Sequence, residues 1–411
     1  MPDLRPFRGL RYDAASVTEL GSVLCPPYDV ISPTERELLL DGDPRNAVRV
    51  ELPARTPTSA TDADYDQAVA TLRSWVRDGT LRRDARPMIY VYEQQFEGMD
   101  GTSRVARGFL CELALEAYGP ASRIRPHEHT IAAPREHRFR LLSAVRTHLS
   151  PVLLIYDDTD GRQQDLLANL STDAPTAAGS LVGVEHRLWA VDPQTSADAR
   201  ELLDFAMQRP LTIADGHHRY ETALRYRDTP GAPPGANHVL ALLYGSRSGG
   251  LALAPWHRVI SGVPDTDKAV SAAIQLLKGT RAPDASSVIA SVASSEQPGV
   301  AGVWSRQGGA VLHWDQLEVG RLDVTVLSDT LPEMTGSTEQ ELTDTGRLSY
   351  THDAGEAIAA VDRRDADVAF LLRPTPIQQV LAVAAAGEFM PPKSTYFYPK
   401  AATGLVFDPL E

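Results

Sequence analysis

The stretch Leu211-Thr-Ile-Ala-Asp-Gly-His-His-Arg-Tyr220 joins a short apolar segment to a dense polar cluster. The apolar residues predict a strand over 211–214, and the residues from 221 to 227 predict a helix. A glycine at a strand-to-helix junction presents backbone N–H groups at the positive end of the helix dipole, which attracts anions. His217, His218 and Arg219 add donors, and an arginine can hold a phosphate or carboxylate through two parallel hydrogen bonds. The stretch therefore predicts an anion site, and its alternative is a buried turn in which Asp215 caps the helix and the histidines are satisfied locally.

Strand and helix patterns flank this junction on both sides. Ser32-Pro-Thr-Glu35 has the form of a helix start with a capping box, and Asn46 to Leu52 alternates in polarity like a strand. Met88 to Phe96 and Val105 to Leu115 predict a hairpin, and Pro151 to Tyr156 is continuously apolar, as in a buried strand. Because strands and helices alternate irregularly with hairpins, we expect a mixed α/β (α+β) class, with mixed sheets and flanking helices.

Composition limits the classes of protein that the chain can represent. It has 411 residues, 43% of them hydrophobic and 23% charged, which excludes wholesale disorder. With 54 acidic and 40 basic side chains the formal charge is −14, which argues against a binder of duplex nucleic acid. Only Cys25 and Cys111 are present, too few for a disulfide framework or a four-thiolate zinc site. Neither a signal peptide nor an apolar run long enough to span a bilayer is visible, so we expect no membrane association and a cytoplasmic location.

The length suggests more than one domain. We divide the chain into an N-terminal α/β region over 1–120 and a core domain over 121–260 that carries the main motifs. A variable subdomain over 261–345 follows, and the segment 346–411 is expected to return to the core.

A second polar cluster follows Arg123. Glu128 could serve as a carboxylate base and His127 or His129 as an imidazole acid or base, with Thr130 and Arg138 nearby in the sequence. The spacing does not match the zinc-protease helix, which needs two histidines four residues apart with a glutamate after the first. The alternative is a solvated charged loop held by salt bridges.

A third cluster lies close to the C-terminus, in Met390-Pro-Pro-Lys-Ser-Thr-Tyr-Phe-Tyr-Pro-Lys400. Lys393, Ser394 and Thr395 suit phosphate contact. The alternative is a terminal strand whose aromatic side chains pack on the core while the lysines extend to solvent. Near the N-terminus, two prolines place Tyr28 and Asp29 on a stiff loop.

These motifs occur together, in order, over nearly the whole chain. Arg5-Pro-Phe-Arg-Gly9, Pro26-Pro-Tyr-Asp-Val-Ile31, His127-Glu-x-Thr130, Arg138-x-x-Leu-Leu142, Asp215-Gly-His-His-Arg-Tyr-Glu-Thr-Ala223 and the C-terminal cluster resemble the bacterial and archaeal family of unknown function DUF1015. Members often lie beside serine-biosynthesis enzymes, which hints at serine or phosphoserine chemistry.

The segment Asp215-Gly-His-His-Arg219 alone is also similar to the phosphate-binding loop of the ParB/sulfiredoxin superfamily, which includes free-serine kinases. This resemblance implies a ParB/sulfiredoxin-like nucleotide-binding core in which Gly216, His218 and Arg219 contact phosphate. A glutamate activates the substrate hydroxyl in the superfamily's serine kinases, and Glu128 is the candidate here. The familiar dinucleotide, P-loop, serine-hydrolase and protein-kinase signatures are absent from the sequence.

Together these observations favour a small-molecule phosphotransferase that uses ATP or ADP with Mg²⁺ and acts on a hydroxyl compound such as serine. Glu128 or Asp215 would take the proton of that hydroxyl. The alternatives are a phosphate-ester hydrolase, with His217 or His218 as nucleophile or general acid, and a non-catalytic sensor of an anionic metabolite. The expected site has catalytic residues Glu128, His127, Asp215 and His217; phosphate-binding residues Gly216, His218, Arg219, Tyr220, Arg138, Lys393, Ser394, Thr395 and Lys400; and substrate-binding residues Tyr28, Asp29, Thr130 and Tyr396. The sequence assigns no metal-ligating side chain and no oligomeric state.

Overall fold

The computed structural model describes residues 1–98, 101–128, 130, 132–295, 298–314, 322–391 and 393–411. The chain forms two compact units. The first unit contains Met1–Ala252 and Pro399–Glu411, and the second unit contains Leu253–Tyr398. The four segments expected from the sequence remain a prediction of how the chain is organised.

The helices of the described residues are α1 (Leu20–Val23), α2 (Pro33–Asp41), α3 (Val48–Glu51), α4 (Asp62–Arg77), α5 (Ala132–Val145), α6 (Arg162–Leu170), α7 (Ala197–Met207), α8 (His217–Arg227), α9 (Thr266–Leu276), α10 (Ala285–Ala293), α11 (Asp323–Thr335), α12 (Glu339–Asp344), α13 (Ala354–Asp362) and α14 (Ile377–Ala386).

The strands are β1 (Leu4–Arg5), β2 (Leu10–Tyr12), β3 (Leu81–Arg83), β4 (Ile89–Glu97), β5 (Ser103–Ala114), β6 (Ile124–Arg125), β7 (Thr147–His148), β8 (Val152–Tyr156), β9 (Ala177–Leu181), β10 (Val184–Val191), β11 (Leu211–Asp215), β12 (His238–Gly245), β13 (Ala252–Ala254), β14 (His257–Ile260), β15 (Thr280–Ala282), β16 (Val300–Ser305), β17 (Gly308–His313), β18 (Leu348–Thr351), β19 (Val368–Leu372), β20 (Tyr396–Tyr398) and β21 (Asp408–Pro409).

The first unit is built on a mixed sheet with the strand order β6-β11-β8-β12-β5-β4-β10-β9, to which β1 adds beside β5. The β8–β12 and β11–β6 pairs are parallel, whereas β4, β5 and β10 pair antiparallel. Apolar side chains of β5, β8 and β12 pack against those of α6 and α7 and form the main core. The expected mixed α/β class with flanking helices is confirmed, and the hairpin over β4 and β5 is confirmed with it.

Local sequence signals predict the start of helix α2 correctly, but they predict a strand where helix α3 lies. The capping box at the start of α2 is present: the Ser32 hydroxyl accepts from the Glu35 amide at 3.2 Å, and the Glu35 carboxylate accepts from the Ser32 amide at 2.8 Å. The strand expected over Asn46–Leu52 is wrong, because this segment contains helix α3. The Asn46 side chain accepts from the Val48 amide at 2.9 Å and donates to two backbone carbonyls of another segment, so it starts a helical turn.

The second unit has its own sheet, with the antiparallel order β15-β17-β16-β19-β14-β18. Its core combines side chains of β16 and β19 with those of α10 and α13. In the part of the chain that the structure describes, we find no helix with the length and apolar character that crossing a bilayer would require.

Candidate functional site

The polar loop begins where β11 ends against β8. The pairing register shifts between Ile213 and Asp215, which is a bulge that redirects the chain. Gly216 follows in a left-handed conformation, with φ of +91°, and helix α8 begins at His217, four residues before the expected start. Gly216 has no side chain that could cap the helix, so the first turn presents backbone N–H groups next to the polar side chains of the loop.

The Asp215 carboxylate is held between two cations. Its Oδ1 lies 2.6 Å from Lys400 Nζ, and its Oδ2 accepts a hydrogen bond of 2.7 Å from the Arg219 guanidinium. Burial raises the pKa of this carboxyl, but the attraction of Lys400 and then of Arg219 outweighs burial, so the pKa lies well below its ordinary value. Asp215 therefore stays ionised, and these contacts favour a positioning role for it over proton transfer.

Arg219 is buried behind the loop. Its guanidinium donates to the Pro151 carbonyl as well as to Asp215, and only 8% of its side chain is exposed. A Cβ atom on Gly216 would lie 2.9 Å from Arg219 Nε. The loop thus needs a glycine for two reasons, its backbone conformation and the close approach of this guanidinium.

His127 and His217 pack edge to face, with ring centroids 4.7 Å apart. The His217 Nε2 accepts a hydrogen bond of 3.3 Å from the His127 amide. His127 Nδ1 lies 2.6 Å from the Ile213 carbonyl, which can only accept, so this nitrogen carries the proton. Burial lowers the pKa of His127 to about 4 and lowers that of His217 well below its ordinary value. At neutral pH both rings are uncharged, and His217 Nε2 is already engaged.

Other predicted residues of the first unit bond to neighbouring side chains or backbone groups. The Thr130 hydroxyl donates to Glu221 at 2.6 Å, and Arg135 donates to the same oxygen at 2.8 Å. The Tyr220 hydroxyl donates to the Glu116 carbonyl at 2.9 Å and accepts from the Glu116 amide at 3.0 Å. These two contacts favour a structural role for the hydroxyl.

His218 and Glu128 are both partly exposed, and His129 lies outside the residues that the structure describes. Burial lowers the pKa of His218, while the charges of Asp29 and Glu221 oppose that shift. Two carboxylates, Asp29 and Glu221, therefore act on this ring, and so do the guanidiniums of Arg135 and Arg219.

The double-proline loop lies close to the same charges. Asp29 is exposed, and its charge acts on both Arg219 and His218. Tyr28 is buried, with the Arg138 guanidinium 4.5 Å from its ring centroid. Arg138 itself bonds to Glu51, and both side chains are buried.

The C-terminal cluster divides between the two units. Lys400 belongs to the first unit, where the Gln94 amide donates to its carbonyl at 2.9 Å. Lys393 and Tyr396 belong to the second unit, where Lys393 Nζ lies 4.6 Å from the Trp256 ring centroid. The remaining two, Ser394 and Thr395, also lie there; Ser394 donates to the Pro391 carbonyl at 2.5 Å, and the Thr395 carbonyl accepts from the Trp256 indole at 3.0 Å. Within the first unit the structure thus collects residues of all three sequence clusters, with Lys400 alone representing the third.

Two carboxylates of this neighbourhood, Glu51 and Glu221, were not among the residues expected from the sequence. Glu221 directly follows the quoted stretch and could have been found from its place on the first turns of α8. Glu51 lies in the segment that was expected to be a strand, and no local signal identifies it. Within the described ranges, no group of three or more histidine, cysteine, aspartate or glutamate side chains is placed to hold a metal ion.

Comparison with solved structures shows low similarity. A free serine kinase variant in complex with AMP has 14% sequence identity and a TM-score of 0.37, covering 67% of this chain and 84% of that one. SbnI with a C-terminal truncation, from Staphylococcus aureus, has 14% identity and a TM-score of 0.37, covering 70% and 84%. A conserved hypothetical protein from Pyrococcus furiosus has 15% identity and a TM-score of 0.35, covering 69% and 92%.

A search of curated proteins found no match. The family model described as "Protein of unknown function (DUF1015)" matches residues 4–325. This match covers well over half of the 411 residues and bears out the resemblance seen in the ordered motifs. The chain therefore belongs to the DUF1015 family.

Proposed function

We propose that this protein is a small-molecule phosphotransferase that holds nucleotide phosphates at the loop Asp215–Tyr220. The proposal rests on the Asp215 carboxylate, which pairs with both Arg219 and Lys400. Beside it, Gly216 adopts a left-handed conformation directly before helix α8. Two cations face one carboxylate there, at the positive end of a helix. That combination favours phosphate over a neutral ligand.

The contacts refine the roles expected from the sequence. Because Arg219 is buried and bonded to Asp215 and Pro151, it would contribute its positive charge to the site without contacting phosphate directly. Direct phosphate contact would fall to the amides of the first helical turn, to His218 and to Lys400. Phosphoryl transfer needs little else from the protein than positioning and charge neutralisation.

The acceptor hydroxyl must lose its proton, and Asp215 is held by two cations. We therefore assign the base to Glu128, as the resemblance to the serine kinases implies, with Asp29 as a second carboxylate whose charge acts on His218. In the reaction, this base takes the hydroxyl proton, the oxygen forms a bond to the γ-phosphorus, and the bond to the leaving nucleoside diphosphate breaks. Mg²⁺ commonly binds nucleotide phosphates with only one or two protein carboxylates, so these two residues could also serve it.

Calorimetric titration with ATP and Mg²⁺ tests the binding half of the proposal. We expect Lys400→Gln to weaken binding at least tenfold, because it removes a cation from the loop. Lys268→Gln, on an exposed position of α9 in the second unit, is the matched control and should leave affinity unchanged. No binding of ATP or ADP to the wild-type protein would overturn the proposal.

Transfer of labelled γ-phosphate to serine and related hydroxyl compounds tests the reaction. We expect Glu128→Gln to abolish transfer while nucleotide still binds; loss in Asp29→Asn alone would move the base to Asp29. Release of phosphate from a phosphoserine-like ester without nucleotide would favour the hydrolase instead. Tight binding of an anionic metabolite without any turnover would favour the sensor.

A further inference from the structure

Glu51 is a buried carboxylate that lies outside the residues expected from the sequence. Its exposed fraction is 0%, and its side chain has two partners. Oε1 accepts from the Ser150 hydroxyl at 3.0 Å, and Oε2 accepts from the Arg138 guanidinium at 3.2 Å. Arg138 also donates to the Glu51 carbonyl at 3.0 Å. Since an unpaired buried charge is strongly unfavourable, Glu51 fixes both partners in place.

Arg138 connects Glu51 to the double-proline loop. The Arg138 guanidinium that Glu51 holds lies over the ring of Tyr28, 4.5 Å from its centroid. Tyr28 precedes Asp29, whose exposed carboxylate acts on His218 and Arg219. Glu51 thus supports this loop through a cation–π contact.

Ser150 connects Glu51 to the Asp215–Tyr220 loop. Ser150 precedes Pro151, and the Pro151 carbonyl accepts from Arg219. Arg219 in turn donates to Asp215, which pairs with Lys400. Polar contacts and the Ser150–Pro151 peptide bond therefore connect Glu51 to the two cations of the loop, and the connection is buried at Glu51 and Arg219 and part-buried at Asp215 and Lys400.

We propose that Glu51 is a positioning residue that sets the relative placement of the Tyr28–Asp29 loop and the Asp215–Tyr220 loop. Its side-chain hydrogen bonds join Ser150 and Arg138. Its effect on a bound nucleotide would pass through Arg138 on one side and through Ser150, Pro151 and Arg219 on the other, and its charge also acts directly on Arg219. The placement itself follows from the contacts, and only its effect on ligand affinity rests on the proposed function.

Hydrogen exchange of the unliganded protein tests the placement. We expect Glu51→Gln to speed exchange at least tenfold at the Val30 amide, which bonds to Pro27, and at the Tyr220 amide, which bonds to Gly216. Ser150→Ala removes only the hydrogen bond between Ser150 and Glu51. It should therefore speed exchange at the Tyr220 amide and leave exchange at the Val30 amide unchanged. This second variant removes one hydroxyl and keeps the test available if Glu51→Gln does not fold.

Glu93→Gln is the matched control. Glu93 is also a buried carboxylate of the first unit, 4% exposed, and accepts from Arg107 at 2.8 Å and from Arg187 at 2.9 Å. We expect this variant to lose stability without faster exchange at Val30 or Tyr220. Unchanged exchange in Glu51→Gln, or an equal increase in Glu93→Gln, would overturn the positioning role.

A titration of the same variants with ATP and Mg²⁺ separates this inference from the proposed function. We expect about a tenfold loss of affinity in Glu51→Gln and none in Glu93→Gln. If the wild-type protein binds no nucleotide, the proposed function fails while the exchange result still decides the role of Glu51. If the wild type binds and Glu51→Gln binds equally well, the inferred effect on affinity fails and the proposed function stands, while the exchange result still decides the placement.

Discussion

The side chains of Asp215 and Lys400 form an ion pair of 2.6 Å, although 185 residues separate them in the chain. Arg219 completes the arrangement from the other side of the carboxylate. Removing the carboxylate would leave the two cations, Arg219 and Lys400, next to each other in a largely buried environment.

Asp215→Asn should destabilise the protein by about 3 kcal/mol at pH 7, because it breaks a mostly buried ion pair. The pKa of Asp215 is depressed in the folded protein, so its contribution is complete above the pKa of the unfolded chain, about 3.9. The contribution is lost as the pH falls towards the lower folded pKa. Urea unfolding of both proteins should show a constant gap in stability above about pH 5 and a shrinking gap below pH 4. Asp365→Asn, which breaks an exposed pair with Arg363, should change stability by less than about 0.5 kcal/mol.

His127 should make stability depend on pH in a different window. Burial lowers its pKa to about 4, so the unfolded chain takes up this proton first, near pH 6.5. Stability is therefore complete above pH 6.5 and is lost as the pH falls towards 4. His127→Asn should reduce the loss of stability between pH 7 and pH 5 by about 2 kcal/mol, measured by urea unfolding. The same slope in wild type and variant would contradict the buried neutral ring, and His313→Asn, at an exposed position, is the control.

Gly216→Ala tests the close approach of Arg219. The new Cβ would meet Arg219 Nε at 2.9 Å, and the residue would keep a φ of +91°. Gly161→Ala provides the comparison, because Gly161 also precedes a helix with positive φ, of +74°, and a Cβ there would meet nothing within 4 Å of the described residues. We expect Gly161→Ala to cost about 1 kcal/mol from backbone strain and Gly216→Ala to cost about 2 kcal/mol or more. Equal losses in thermal unfolding would show that the guanidinium moves aside without cost.

Tyr220→Phe separates a structural hydroxyl from a phosphate-binding one. Because the hydroxyl bonds to the Glu116 backbone, its loss should cost about 1 kcal/mol of stability and leave the affinity for ATP unchanged. Tyr118→Phe is the matched control: the Tyr118 ring stacks on Tyr220 with centroids 5.5 Å apart, and its buried hydroxyl has no partner among the described residues. That variant should be neutral. A large loss of ATP affinity in Tyr220→Phe would restore the role expected from the sequence.

Local chemistry made several elements predictable. The capping box at Ser32, the hairpin over β4 and β5 and the apolar strand β8 all depend on neighbouring residues or on a short repeat of polarity. The strand-to-helix junction at Gly216 was also visible, although α8 begins at His217 and not near Glu221. A glycine with positive φ permits a helix to begin directly after it, and propensity alone does not show that.

Long-range contacts set the rest of the site. Nothing in the sequence near Glu51 indicates that it bonds to Arg138 and Ser150, since each partner lies almost a hundred residues away. The alternating polarity of Asn46–Leu52 even suggested a strand, because the contacts of the Asn46 side chain to Ser22 and Leu24 are not encoded locally. Charge-bearing residues were therefore identifiable by type, whereas their pairing required the fold.

The return of Pro399–Glu411 to the first unit has a consequence for synthesis. The ribosome makes Lys400 only after the whole second unit, residues 253–398, has been translated. At roughly 5–20 residues per second, this interval lasts on the order of ten seconds. During that time a nascent first unit would contain Asp215 and Arg219 without Lys400, so Asp215 would gain its second cation only after Lys400 has been translated.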